Sequence, residues 1–238
     1  MKKFFGKKAI LDAFYKNDLK EIYYVSYFDE IFLFKQKNII FHKVEKSFFN
    51  NYDINHQYIM GISNSDSFGI TTNFDEFIER INASKKLKKI ILVLDEIHDP
   101  GNFGAICRTC KAFDVVGIIF KKNNQTQITD TVLKTSLGTA NYLNFYKATN
   151  LFETLNKLKK EGFWIISTAL DEKAVKLSKF KTDIKNLVLI VGNENKGIST
   201  LLKKESDFIV QIEMMDDVQS LNVASSCAIA IYYLQFIL

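Results

Sequence analysis

Three short segments concentrate the side chains that could do chemistry. The first, HDPGNFGAICRTC at 98–110, holds the only proline, two of the ten glycines and two of the three cysteines. It also holds Arg108, one of two arginines in a chain with thirty lysines. Pro100 and Gly101 specify a turn, Asn102 is a candidate N-cap for a helix starting near Phe103, and Gly104 permits close backbone approach in the first turn. Arg108 follows Gly104 by one helical turn on the same face. A planar guanidinium grips phosphate through two parallel hydrogen bonds that an ammonium cannot copy, although a solvated arginine on a surface helix fits the same spacing. The second segment, NLVLIVGNENKGIST at 186–200, runs a buried strand into a glycine turn and then a helix, which can bring backbone amides to a nucleotide. Ile198 stands where the phosphate-loop pattern G-x-x-x-x-G-K-[ST] requires lysine, which argues against ATP; the nicotinamide fingerprint G-x-G-x-x-G is absent. The third, FIVQIEMMDDVQSLNVASSCAIAIYYL at 208–234, puts Ser220 and Asn222 at the start of a long helix, where they either cap it or point into a cleft.

Each segment follows a run that reads as a strand. From residue 88 onward, apolar runs rich in β-branched residues recur at IILVLD, VVGIIF, YLNFY, FWIISTA, NLVLIVG and FIVQI, separated by helical or loop stretches. One such stretch is LFETLNKLKKEG, with Leu151, Phe152, Leu155 and Leu158 on one face and Gly162 as a stop. This alternation predicts an α/β fold with a mostly parallel sheet covered by helices on both faces. Ligands in such sheets bind at the carboxyl ends of the strands, where all three segments converge. The first block reads as a helix around Phe4 to Phe14 followed by strands at EIYYV, EIFLF and NIIFHKV. Polar residues after 70 suggest a first domain over 1–75, a linker over 76–87 and a second domain over 88–238.

At 238 residues and 47% apolar, the chain can bury one large or two small cores. MKKFFGKKAILDAF lacks the apolar stretch of a signal peptide, so a cytoplasmic protein is expected. The last sixteen residues fall short of the about 20 that span a membrane and include Ser225, Ser226 and Gln235, so a buried or subunit-interface helix is expected there. An odd cysteine count argues against a disulfide scaffold. The Cys107–Cys110 pair has only Cys227 and three scattered histidines for company, too few for a zinc site, and reads as structural packing. Residues 1–84 carry 11 basic and 11 acidic side chains and residues 85–238 carry 21 and 16, so the net charge of +5 lies wholly in the second part. That excess fits a polyanion partner or a solvated lysine surface.

The motifs N-F-G-A-I-C-R, L-V-L-I-V-G-N-E-N-K-G and V-Q-S-L-N-V-A, in this order and spacing, resemble the SpoU family of RNA ribose 2′-O-methyltransferases over about residues 88–238. The resemblance implies a SPOUT fold whose C-terminal segment threads a deep trefoil knot, S-adenosylmethionine as cofactor, no metal, and a homodimer formed through the knotted domain. It further implies catalytic roles for Asn102, Arg108, Glu194, Ser220 and Asn222. A cofactor cradle is implied at Leu137, Gly138, Gly192, Asn193, Gly197, Ile212, Met214, Ser220 and Leu221. FFGKKAILDAF and the N-H-Q at 55–57 are similar to segments of the bacterial 23S ribosomal RNA guanosine 2′-O-methyltransferases. Those enzymes carry a small L30e-like RNA-binding domain, which implies RNA contacts at His56 and Gln57 beside Arg108. Transfer RNA as substrate and a non-catalytic ribosome-assembly role are the rival readings. The chain departs from the family pattern at Glu213, Asp216 and Tyr58, where proline, glycine and glycine are usual. Two added carboxylates beside the cofactor loop could repel RNA phosphate.

Overall fold

In the computed structural model the described residues are 3–15, 17–29, 31–34, 38–52, 55–63, 69–194, 196–215 and 220–238. They fall into two compact units, 1–68 and 69–238.

The first unit runs β1 (Lys3–Phe5), α1 (Lys7–Tyr15), β2 (Glu21–Tyr24), α2 (Ile31–Phe34), β3 (Ile40–Lys43), a 3-10 helix (Lys46–Asn51) and β4 (Ile59–Ile62). The sheet order is β1-β4-β2-β3, with β4 antiparallel to both neighbours and β3 parallel to β2. Two expectations are corrected here. Phe4 lies in a strand, not a helix, because Gly6 at φ +83° turns the chain before α1 and frees Phe4 to pair with Gly61. The strand expected at EIFLF is replaced by a helical turn over Ile31–Phe34, since an i, i+3 spacing buries Ile31 and Phe34 together and leaves Phe32 and Leu33 exposed.

The second unit begins with β5 (Ile70–Thr71), α3 (Phe74–Asn82), β6 (Lys89–Asp95), α4 (Pro100–Ala112) and β7 (Gly117–Lys121). It continues through α5 (Asp130–Thr135), a 3-10 turn (Thr139–Tyr142), β8 (Phe145–Ala148), α6 (Leu151–Lys160), β9 (Trp164–Thr168) and β10 (Val175–Lys176). A 3-10 turn (Leu177–Lys179), β11 (Asn186–Gly192), α7 (Thr200–Lys204), β12 (Phe208–Gln211), α8 (Val223–Tyr232) and a π-helical turn (Tyr233–Ile237) complete it. The strands form one parallel sheet of order β10-β12-β9-β11-β6-β7-β8-β5. Helices cover both faces, as the alternation predicts. On one, α3, α6 and α7 share a core with Ile91, Val93, Val188 and Ile190. On the other, Phe103 of α4 meets Phe120 and Phe145, and α8 packs on α4 and β11.

The expected linker over 76–87 belongs, as far as Asn82, to a packed helix. Asn73 caps α3 by accepting from Asp75 and Glu76 N–H, and Phe77 and Ile81 are fully buried against Gly117, where a Cβ would come within 2.6 Å of the Phe77 ring. The units therefore divide at 68/69 and not at 75. A charged outer face disguised an amphipathic helix as a spacer.

Candidate active site

Strands β6 and β11 are parallel neighbours with Asp95 opposite Gly192, so the first two segments leave the sheet at the same level. Asp99, not Asn102, caps α4, accepting from Gly101 N–H at 3.2 Å and Asn102 N–H at 2.9 Å, and the helix starts at Pro100. Proline at the first helical position gives up an N–H that would be unsatisfied anyway, and a carboxylate suits the positive helix end. The Asn102 side chain is thereby left free of capping. Gly104 lets α4 press against α5, since a Cβ there would stand 1.8 Å from Thr135 Oγ1.

The second loop folds back on itself. Asn193 and Gly197 exchange backbone hydrogen bonds of 3.0 and 2.8 Å, and a Cβ on Gly192 would come within 2.3 Å of Gly197. Asn193 Nδ2 donates to the Glu96 carbonyl at 2.9 Å, and its Oδ1 accepts from Lys196 N–H. Asp95, only 2% exposed, accepts from Ser199 N–H at 2.8 Å and pairs with Lys121 at 2.9 Å; Lys121 also reaches Glu96 at 3.0 Å. Burial opposes the Lys121 charge, but the bonds to Asp95 and Glu96 outweigh it and hold the ammonium above its usual pKa. This carboxylate–ammonium group anchors the far end of the loop at Ser199.

Asn222 caps α8, its Oδ1 accepting from Ala224 and Ser225 N–H at 2.9 and 3.3 Å. Those bonds orient the amide, so Nδ2 must face the other way. It donates to Asn102 Oδ1 at 3.0 Å and to Glu194 Oε1 at 2.9 Å, while Asn102 Nδ2 donates to the same Glu194 oxygen at 2.6 Å. Three of the residues singled out in sequence, one from each segment, thus form a closed hydrogen-bonded cluster on the surface of the sheet's carboxyl edge.

The remaining candidates are not in this cluster. Arg108 is exposed on α4 and makes no hydrogen bond or ion pair among the described residues. Ser220 is exposed, two residues before the α8 cap, and Leu221 beside it is half-buried. Leu137 is a leucine at φ +51° that is 57% exposed, followed by Gly138 at φ +77°. That left-handed pair turns the chain between α5 and the following 3-10 turn and puts an apolar side chain into solvent. Ile212 and Met214 are half-buried beyond β12, next to a cleft of about 560 Å³ lined by Leu170, Asp171, Glu172, Lys173 and Gln211. Glu213 turns aside: its carboxylate accepts from the Ser178 hydroxyl and N–H, and the hydroxyl bond holds its pKa below the ordinary value. Asp216 lies outside the described residues. In the first unit, Gln57 Oε1 accepts from Lys7 N–H at 3.0 Å and His56 Nδ1 from Tyr58 N–H at 2.9 Å, so both fix a turn in which Gln57 and Tyr58 have positive φ.

Sequence reasoning missed Asp95, Glu96, Asp99 and Lys121. A carboxylate pair closing an apolar strand, L-D-E, is the signal that could have found the first two. All three cysteines are free and buried, with burial pushing each thiol well up, as structural packing requires. Among the described residues no three His, Cys, Asp or Glu side chains gather to hold a metal, and no helix is long and apolar enough to cross a membrane.

The sequence profile of the SpoU rRNA Methylase family matches residues 89–232, which include the three clustered residues and Arg108. An uncharacterized tRNA/rRNA methyltransferase of Mycoplasma genitalium is 40% identical over 202 residues, 84% of this chain and 82% of that one. The 23S rRNA (guanosine-2′-O-)-methyltransferase of Coxiella burnetii is 34% identical over 183 residues, covering 73% and 72%. Among solved structures, the AdoMet-bound rRNA methyltransferase of Sinorhizobium meliloti shares the fold over all of this chain and 88% of its own, with a TM-score of 0.75 at 21% identity.

Proposed function

The chain belongs to the SpoU rRNA methylase family, and we propose that it methylates the ribose 2′-hydroxyl of a guanosine in 23S ribosomal RNA with S-adenosylmethionine as cofactor. The observation that carries this reading is the Asn102–Glu194–Asn222 cluster, which ties the three motif loops into one rigid rim. The residues beside it suit an adenosine ligand. Gly138 and Gly197 both have positive φ, with nothing within 4 Å of a Cβ at Gly197 and only the Asn141 amide, at 3.9 Å, near one at Gly138. Leu137 adds an exposed apolar wall, Gly192 ends β11, and Asn193, Ile212, Met214, Ser220 and Leu221 follow β11 and β12 at the same sheet edge. S-adenosylmethionine supplies an activated methyl group on a sulfonium; this chain's own residues must place the acceptor oxygen and help it lose its proton. Arg108, solvent-facing and without a protein partner among the described residues, is available to hold the phosphate next to the target ribose and so orient the hydroxyl. A guanidinium carries five N–H donors and no acceptor, so it is a poor base, which favours the clamp over proton acceptance. Glu194 accepts from two amides and serves as the hub of the rim.

The same reading takes the first unit as an L30e-like RNA-binding domain in which His56 and Gln57 shape a contact loop, and takes the C-terminal segment as the part that threads the knot. It assigns a homodimer interface to the exposed apolar stripe Ile229, Tyr232, Phe236 and Ile237, where Phe113 packs edge-on against Tyr232 and Phe236. The test is methyl transfer from labelled S-adenosylmethionine to unmodified ribosomal and transfer RNA, with Arg108→Ala alongside and the product mapped. Expected is 2′-O-methylguanosine in large-subunit RNA that the variant fails to make. Product in transfer RNA alone moves the substrate assignment to that RNA. Cofactor and RNA binding without transfer to either pool favours the assembly role.

A further inference from the structure

The first unit carries an aromatic group that methyl transfer does not use. Register sets His42 opposite Tyr23, Tyr23 opposite Met60 and Met60 opposite Phe5, so all four strands contribute to one row on one face of the sheet. The alternate residues Phe4, Ile22 and Tyr24 point the other way and are buried, as are Ile10 and Phe14 of α1. Over the aromatic row lies the 3-10 helix Lys46–Asn51. It buries Phe49 against Met60 and Ile62 and leaves Phe5, Tyr23, Phe48 and Tyr52 partly exposed.

The geometry of these rings is distinctive. His42 lies nearly parallel to Tyr23 with centroids 4.4 Å apart at 19°, and Phe48 lies parallel to Tyr23 at 5.2 Å and 2°. Tyr52 extends the group, 5.2 Å from Phe5 and 6.0 Å from Phe48. The Tyr23 hydroxyl donates to Glu21 Oε2 at 3.0 Å, and His42 Nε2 stands 3.2 Å from the same oxygen, which holds both rings in plane. Lysines are interleaved: Lys3 Nζ is 5.0 Å from the Tyr52 centroid and Lys46 Nζ is 5.5 Å from that of the exposed Tyr58.

We propose that this face is a stacking platform for unpaired bases of RNA. Parallel, partly exposed rings offer flat π-faces, and lysines at their margin meet the phosphates between stacked bases; together they recognise single strands with little sequence preference. Protein interfaces also favour aromatic rings but are depleted of lysine, whereas here Lys3 and Lys46 stand over Tyr52 and Tyr58. Among the described residues two carboxylates lie nearby. Glu21 is mostly buried and engaged by Tyr23, His42 and Lys20, and Glu45 is exposed beside the 3-10 helix. The proposal rests on the RNA-substrate reading only for the identity of the polyanion and narrows it to loops or single-stranded segments.

The test uses the full chain with an unpaired oligoribonucleotide of roughly 12 nucleotides and the blunt duplex formed with its complement. The unaltered protein is expected to bind the single strand more tightly. His42→Ala combined with Phe48→Leu, which keeps apolar volume but removes the rings, is expected to weaken that binding about tenfold and leave duplex binding unchanged. Equal single-strand binding by the double variant, or a parent protein that prefers duplex, overturns the proposal. So does a change in oligomeric state caused by the variant, which would make the face a protein contact. If the double variant does not fold, photocross-linking of the unaltered chain to a 4-thiouridine oligomer decides: adducts on peptides containing Tyr23, His42, Phe48 or Tyr52 support the platform, and adducts confined elsewhere refute it. Methyl transfer measured in parallel separates the two readings. Intact transfer with no platform effect removes the platform alone, and a working platform without transfer removes the enzymatic reading alone.

Discussion

Asn222 serves two purposes that a substitution can separate. Its carbonyl oxygen caps α8 and its amide nitrogen joins Asn102 to Glu194. Asn222→Asp keeps a cap of equal quality but loses the donor and sets a second carboxylate against Glu194. It should therefore unfold close to the wild-type temperature yet transfer methyl groups roughly 100-fold more slowly, because the rim is displaced. Asn222→Ala should lose the cap too, costing a further stability of about 1 kcal/mol, and thermal unfolding beside kinetics distinguishes the pair. Lys121 is the residue whose removal isolates the charge group beneath the loop. Lys121→Met leaves Asp95 buried without its cation and should cost about 2–3 kcal/mol, below the value for a fully buried pair because Lys121 keeps some contact with water. The sign of the pH effect follows from the raised pKa. The stabilisation by Lys121 is complete below its unfolded value of 10.5 and is lost as pH rises through the higher folded value. Denaturant titrations from neutral to strongly alkaline pH should show this loss in the wild type and not in Lys121→Met.

At the level of elements, the α4–α5 contact is the most tightly specified joint near the site. Replacing Gly104 by alanine would gain about 1 kcal/mol of helix propensity in an isolated helix. Here the added Cβ meets Thr135 Oγ1 at 1.8 Å and Ser136 N at 2.9 Å, and the second of these is backbone. Overpacking of this kind costs about 1–3 kcal/mol, so the clash wins. The α5 end must shift, and with it Leu137 and Gly138. Gly104→Ala should thus lower both the unfolding temperature and the affinity for S-adenosylmethionine measured by calorimetry, whereas an effect on stability alone would detach Leu137–Gly138 from the cofactor cradle. The elements also show where periodicity succeeds. NLVLIVG and IILVLD read as strands because runs buried on both faces are apolar throughout. EIFLF reads the same way, yet Ile31–Phe34 form a helical turn, since a run of four apolar residues satisfies both periods and packing of Ile31 and Phe34 chose between them.

For the whole molecule, the C-terminal helix carries both a core face and the stripe proposed as the dimer interface. Its inner residues Cys227, Ala230, Ile231 and Leu234 are buried, and its outer residues Tyr232, Phe236 and Ile237 are exposed. Phe236→Asp should leave the fold intact and shift sedimentation from dimer to monomer; an unchanged sedimentation coefficient would take the interface away from this stripe. The amino-acid sequence by itself determined the parallel α/β architecture and the residue types of the site, because alternation of apolar runs and the glycine, proline and asparagine punctuation are local signals. Asn102 and Asn222 were legible as candidates on those grounds, and Glu194 through the resemblance of its loop to the SpoU family. Their union was decided by the tertiary structure alone: Asn102 and Glu194 are 92 residues apart and Asn102 and Asn222 are 120, and local periodicity carries no information on which distant amide meets which carboxylate. The same holds for the Asp95–Lys121 pair across two strands and for the burial of α3 in the second unit. In each case the outcome depends on which neighbours the folded sheet brings within hydrogen-bonding or packing distance, and only the register of its strands sets that.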